Sequence, residues 1–97
     1  MYCRKYFPNG SILDVGCGEG APVDFLDIKQ KKRYIGIDIS REAIKKADRK
    51  RKGSDFRCVA AEAFETRKKF DAIVFNEVLY YMDDDAIFRK YISFFEG

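Results

Sequence analysis

A glycine cluster, Asp14-Val15-Gly16-Cys17-Gly18-Glu19-Gly20, closes the apolar run Ser11 to Val15 (SILDV) and opens a second run, Ala21 to Ile28 (APVDFLDI), with Pro22 near its head. A short run rich in β-branched residues predicts a strand. Proline suits the first turn of a helix, so APVDFLDI predicts a helix. A strand, a glycine turn and a helix in that order form the opening unit of a parallel α/β sheet. This unit constrains the chain more than any other feature, because neither an all-helical bundle nor a sandwich of hairpins is built from it.

The remainder repeats the pattern. Tyr34 to Asp38 (YIGID) predicts a second strand, and Ser40 then caps a helix through about Arg51 that buries Ala43, Ile44 and Ala47 before Gly53 ends it. Phe56 to Ala60 predicts a third strand, Ala61 to Glu65 one helical turn, and Phe70 to Asn76 (FDAIVFN) a fourth strand. Acidic residues favour helix N-termini. Asp83 to Asp85, followed by Ile87, Phe88, Tyr91, Ile92 and Phe95 at helical spacing, therefore predict a last helix that runs to the end of the chain. At 97 residues there is room for one domain, or part of one, and for no second core.

Composition removes several classes of chemistry. There is no histidine, so serine-histidine and cysteine-histidine nucleophiles, imidazole bases and histidine metal sites are all excluded. Cys3, Cys17 and Cys58 are odd in number and lack a C-x-x-C pair, which predicts free thiols, no disulfide framework and no metal site. No apolar run approaches the roughly 20 residues that cross a bilayer, and the first residues carry no secretory h-region. A cytoplasmic location is the expectation.

Charge is uneven. Basic residues crowd Lys29 to Lys52, while acids dominate Phe70 to Gly97. Such asymmetry is one mark of nucleic-acid binding. However, Lys29 to Arg33 and Arg49 to Lys52 are expected in loops that enter strands, whereas open parallel sheets bind ligands where strands exit. We therefore read the basic clusters as a solvated surface, and nucleic acid is not an expected partner.

The glycine cluster is where a ligand is expected, since backbone amides there meet it with no side chain in the way. Gly16, Gly18 and Ala21 meet the G-x-G-x-x-[GA] dinucleotide fingerprint, and Asp38 ends the next strand 20 residues after Gly18, where a carboxylate grips ribose hydroxyls. A nicotinamide cofactor thus stays open as an alternative. Asp14 weighs against it, because a charge at the end of the first strand repels a pyrophosphate and attracts an ammonium or sulfonium.

With these residues in view, ILDVGCGEG resembles the first motif of the class I S-adenosylmethionine (SAM) dependent methyltransferases. YIGIDIS resembles the second motif. FDAIVFNEVLYYMDD resembles the fourth strand and following loop of the branch that methylates small molecules, including the ubiquinone-pathway and nodulation relatives. Together these cover almost the whole chain.

The resemblance implies a Rossmann-like, mostly parallel sheet of strand order 3-2-1-4, with residues 1–97 forming a partial methyltransferase domain that stops before the family's fifth strand. It implies that Asp14 and the backbone at Gly16 and Gly18 hold the methionine moiety of SAM. Asp38 would take both ribose hydroxyls and Ile39 would lie against adenine. The family's usual acid after the third strand is replaced by Ala60, which leaves Ala61 and Glu62 to meet the adenine amino group. Asn76, Glu77 and Tyr81 are the residues placed to orient an acceptor or take its proton, with Tyr80 beside them. The structural alternatives are a helix-capping role for Asp38, a small turn residue at Cys17 and a pocket wall or core role for the tyrosine pair.

The exocyclic base-amine methyltransferases are set aside, because their Asn/Asp-Pro-Pro-aromatic sequence is replaced here by Asn76-Glu77-Val78-Leu79. The implied activity is methyl transfer to a small molecule. Two other classes stay open: half of a nicotinamide-dependent oxidoreductase, and an interaction module that keeps the fold without a cofactor. Self-association is also expected, through an apolar edge at the fourth strand or through the last helix with Ile92, Phe94 and Phe95.

Overall fold

The computed structural model describes residues 10–76 and 85–95, and in them the four expected strands form one parallel sheet. β1 (Ile12–Val15) lies at the centre, β2 (Tyr34–Asp38) and β3 (Asp55–Cys58) follow on one side, and β4 (Ala72–Phe75) lies on the other, giving the order β3-β2-β1-β4. The register aligns Asp14 with Gly36 of β2 and Val74 of β4. All four residues of β1 are buried, as a central strand with a core on each face requires.

Alternation along the strands sorts side chains into two cores. One gathers Ile12, Tyr34, Phe56, Ala72 and Val74 beneath Ile44 and Ala47 of α2 (Arg41–Lys50) and beneath Val23 and Leu26. The other gathers Leu13, Val15, Ile35 and Ile37 against Phe64, Phe70, Tyr91 of α3 (Asp85–Ser93) and Phe94 just beyond that helix. Tyr91, Phe94, Phe64 and Phe75 meet edge to face, with ring centroids 5.1 to 6.0 Å apart.

Several local expectations are corrected. APVDFLDI is not one helix: Ala21–Phe25 is a 3-10 helix, and Asp27, in extended conformation, caps a separate α1 (Ile28–Lys32) by accepting from the Gln30 amide at 2.9 Å. An Asx cap starts a new helix more readily than it continues an old one. Lys29 to Lys32 consequently sit on a helix rather than in a loop. Ser40 caps α2 as expected, accepting from Ala43 N, but Ala43 is only partly buried.

The one turn expected over Ala61 to Glu65 is a hydrogen-bonded turn in which Ala63 N and Phe64 N both donate to Ala60 O. β3 begins at Asp55 and stops at Cys58, and β4 is shorter than FDAIVFN, because Phe70 pairs with Phe95 instead of β1. α3 ends at Ser93, with Phe94 folding back into the core, so the helix does not run to the chain's last residue. Phe88, Ile92 and Phe95 stay about half exposed.

Candidate functional site

The carboxyl ends of the four strands open into a cavity of about 540 Å³, within the roughly 300–1,000 Å³ of small-molecule and cofactor sites. Its wall passes from Val59, Ala60, Ala61 and Glu62 after β3, through Ile37 and Asp38 of β2 and Ile39 just past it, to Val15 at the end of β1 with Gly16 and Gly18 beyond, and ends at Asn76 after β4. Seven of the sequence-predicted site residues, Gly16, Gly18, Asp38, Ile39, Ala61, Glu62 and Asn76, are thereby brought together. Glu77, Tyr80 and Tyr81 lie outside the described residues.

The glycine turn is fixed by the sheet and by α2. Gly16 N and Cys17 N both donate to Ile37 O, at 2.8 and 3.0 Å. Gly18 takes φ +58, and a Cβ there would meet nothing within 4 Å, so the backbone faces open cavity space. Gly20 is glycine for a different reason. At φ +80 its Cβ would lie 2.6 Å from the Phe56 ring.

Arg51, which sequence reasoning missed, clasps this turn from the end of α2. Its Nη1 donates to Glu19 O at 2.9 Å, while Nε and Nη2 donate to the two carboxylate oxygens of Asp24 at 3.0 and 2.9 Å. A planar guanidinium is suited to such a three-way bond. The pairing holds the Asp24 carboxyl below its ordinary value, chiefly through the hydrogen bond from Arg51, and the bond from Lys50 does the same for Glu19.

Asp38 joins two elements at the cavity edge. Its Oδ1 accepts from Ser40 N and its Oδ2 from Gly18 N, each at 2.8 Å, so one carboxylate ties the start of α2 to the glycine turn and still lines the cavity. Each oxygen keeps a lone pair for a ligand hydroxyl. Ile39 beside it is 76% exposed, an unusual state for isoleucine that a flat apolar ligand group would relieve.

Asp14 departs from expectation. It is wholly buried and absent from the cavity wall. Its Oδ2 accepts from the Tyr34 hydroxyl and its Oδ1 from Asn76 Nδ2, both at 2.6 Å. Burial raises its pKa, and the two hydrogen bonds oppose that rise. Tyr34 reaches the carboxylate because Gly36 leaves the space above it open. Glycine two residues after a tyrosine, on the same strand face, was the available sequence signal.

Cys17 is a buried turn residue with its thiol pushed up to about 12, first by desolvation and then by Asp14 and Asp38, which disfavours the reactive thiolate at neutral pH. The wall after β3 is held from α3: the Tyr91 hydroxyl donates to Ala61 O at 2.8 Å and Lys90 Nζ to Glu62 O at 3.0 Å. Neither contact was foreseen, since both join segments about 30 residues apart. Among the described residues no helix is long and apolar enough to cross a membrane.

Comparison with known proteins agrees with this architecture. The chain is 31% identical to the ubiquinone biosynthesis O-methyltransferase of Bradyrhizobium diazoefficiens over 91% of its own length, and 36% identical to nodulation protein S of Sinorhizobium fredii over 84%. It spans 40% and 39% of those two proteins. The plantazolicin methyltransferase BpumL, solved in complex with S-adenosylhomocysteine (SAH), superimposes with a TM-score of 0.76 at 27% identity, over 89% of this chain and 35% of that one. The family model described as a methyltransferase domain matches residues 12–94. With the sheet order, the glycine turn and the strand-end cavity all in place, this chain belongs to the methyltransferase domain family.

Proposed function

We propose that the strand-end cavity binds SAM and that the chain is the cofactor-binding part of an enzyme that methylates a small molecule. The observation that carries this reading is the run of the cavity wall itself. Apolar lining at Ile39 and Ala61, the carboxylate of Asp38 and a glycine turn follow one another along it.

The residues fit the cofactor. Ile39 and Ala61 flank adenine, Glu62 serves its amino group, Asp38 accepts from the ribose hydroxyls, and the backbone at Gly16 and Gly18 borders the amino-acid tail, with Asp14 behind it. SAM, when bound, supplies a methyl group on a sulfonium. The chain's own contribution is to hold the ligand in line for displacement and to keep water away. Asn76, at the exit of β4, together with Glu77 and Tyr81, which follow it in the sequence, orients the acceptor at its N, O or C atom.

The named activities of the relatives support a small-molecule acceptor. Because the chain spans about 40% of those relatives, the activity of a whole protein, a cytoplasmic location and the assignment of residues 1–97 to part of a larger catalytic domain are parts of the same proposal. So is self-association. Among the described residues only Phe70, at the entry to β4, finds a partner beyond the sheet's β4 edge, and Phe88, Ile92 and Phe95 form an apolar stripe on and just beyond α3. Sedimentation at micromolar concentration tests that part, with a stable monomer as the contrary result.

Calorimetric titration tests the cofactor. One equivalent of SAH should bind, and NADH should not, because a buried carboxylate behind the glycine turn opposes a pyrophosphate. Binding of NADH in preference to SAH would transfer the chain to the oxidoreductase reading. No binding of either would favour an interaction module.

A further inference from the structure

The amino ends of the strands, at the opposite edge of the sheet from the strand-end cavity, hold a second opening. A crevice of about 180 Å³ crosses the starts of all four strands, from Asp55 at the head of β3 to Phe70 at the entry to β4. Lys32, the last residue of α1, and Arg33 line one part of it, and Lys68 and Lys69 line another. The topology thus gathers four cationic side chains from two segments distant in sequence. The acids here already have donors. Asp55, the one acid among the described residues of the lining, accepts from Arg57 Nε and Nη2 at 3.1 and 2.8 Å, and Asp71 next to Phe70 accepts from Ser11 N at 2.8 Å. Among the described residues no carboxylate pairs with Lys32 or Lys68.

We propose that this crevice binds a compact phosphate-bearing anion, with Lys32 and Lys68 as its principal contacts. Arg33 adds charge beside them, as does Lys69, whose Nζ already donates to Ser93 O. Cations gathered around a concave opening focus the field and raise the local anion concentration. Size selects the ligand. At about 180 Å³ the crevice is smaller than the roughly 300–1,000 Å³ of sites that enclose a whole small molecule, so it admits a phosphate group and leaves any attached sugar or base outside. Single-stranded nucleic acid is the poorer fit, because the two aromatic residues of the lining, Tyr34 and Phe70, are buried and offer no ring on which a base can stack. Once bound, the anion joins the segments that lead into β2 and β4, the two neighbours of β1, and stabilises the folded sheet by mass action.

The test is calorimetry of inorganic phosphate on the 97-residue chain, against chloride at matched ionic strength. One phosphate per chain should bind, with half-saturation at about 1 mM or below, and Tm should rise with phosphate more than with chloride. Replacing Lys32 and Lys68 together by alanine should weaken phosphate binding by about tenfold or more. Tm without phosphate should be unchanged in that variant, since both side chains are exposed. A sugar monophosphate identifies the source of the group. Equal affinity assigns the crevice to the terminal phosphates of metabolites, weaker binding assigns it to the free anion, and both agree with the proposal.

Should the double variant fail to fold, the backbone amide resonances of the unaltered chain decide instead. Those of residues 32–35 and 68–70 should move saturably with phosphate and stay in place with chloride. Absence of saturation, a phosphate affinity unchanged in the double variant, or resonance shifts spread evenly over the surface would overturn the inference. So would an oligothymidylate that binds the chain more than about tenfold more tightly than phosphate, which would make the basic end of the sheet a nucleic-acid footprint.

Discussion

The Tyr34 hydroxyl donates to Asp14 at 2.6 Å across two neighbouring strands, and it does so in the space that a Cβ at Gly36 would occupy, 2.9 Å from the same oxygen. The bond satisfies a carboxylate that has no access to water. Tyr34→Phe leaves one carboxylate oxygen without a donor and should cost about 1–3 kcal/mol of stability. Gly36→Ala should cost a comparable amount, about 1–3 kcal/mol, by overpacking, since Tyr34 and Cys17 would both have to move. Urea unfolding of the two variants and their double mutant checks this, and the double mutant should cost less than the sum because both changes break the same contact.

Asp14 should also mark the pH profile of stability. Burial raises its folded-state pKa above 3.8, so in the window between the two values the folded chain holds a proton that the unfolded chain has lost. Stability should therefore fall as pH rises through that window. Glu19 and Asp24, held low by Lys50 and Arg51, act in the opposite sense, losing their contribution as pH falls through their lowered values. Comparing Asp14→Asn with the unaltered chain isolates the first effect. The difference should be flat at the lowest pH at which both fold, then grow in favour of the Asp14→Asn variant as pH rises.

Asp38→Ala removes the acceptor for Gly18 N and Ser40 N along with the proposed ribose contact. SAH affinity should drop by roughly 1.5–3 kcal/mol, or more than tenfold in Kd. Calorimetry checks it. A ligand lacking both ribose hydroxyls should bind the variant and the unaltered chain with nearly equal affinity, because only the turn geometry then separates them.

Arg51 acts at a distance from the cavity. Arg51→Lys keeps the charge but cannot bond Glu19 O and both Asp24 oxygens at once, so it should lower SAH affinity severalfold and Tm by a few degrees, with Arg51→Ala lower still. Thermal denaturation with and without SAH separates the stability loss from the loss of binding.

The two described thiols should differ in reactivity. Cys17 is buried with its thiol pushed up to about 12, and Cys58 is exposed. Iodoacetamide at neutral pH should label Cys58 in the native chain and Cys17 only after unfolding, as peptide mapping will show.

What was legible in the sequence was whatever depends on local pattern. The glycine turn and the placement of Asp38 at the end of the second strand follow from short-range chemistry, while the order of strands was implied by the family resemblance of the motifs. Tyr34 was hidden because a tyrosine heading an apolar strand looks like any core residue. Its meaning comes from Asp14 on the neighbouring strand. Asp14 itself was assigned to the ligand on its charge, and only packing shows that two donors enclose it. Arg51, Lys90 and Tyr91 escaped for the same reason, since each bonds the backbone of a segment distant in sequence. The split of APVDFLDI at Asp27 was readable as an Asx cap, but Pro22 made one continuous helix the simpler assignment.

The central place of β1 also governs the order of assembly. Ile12 pairs with Tyr34, 22 residues on, and with Ala72, 60 residues on, so closing the second loop costs about 0.9 kcal/mol more chain entropy than closing the first. During synthesis the first three strands leave the ribosome before β4 exists. Until β4 arrives, β1, all four of whose residues are buried in the finished fold, carries an open edge, a state in which a nascent polypeptide is prone to pair with a neighbour. Asn76 reaches Asp14 only at the end of that wait, so a ligand spanning from Ala61 to Asn76 would act as a clasp on the last-formed contact and shorten the chain's exposure to aggregation.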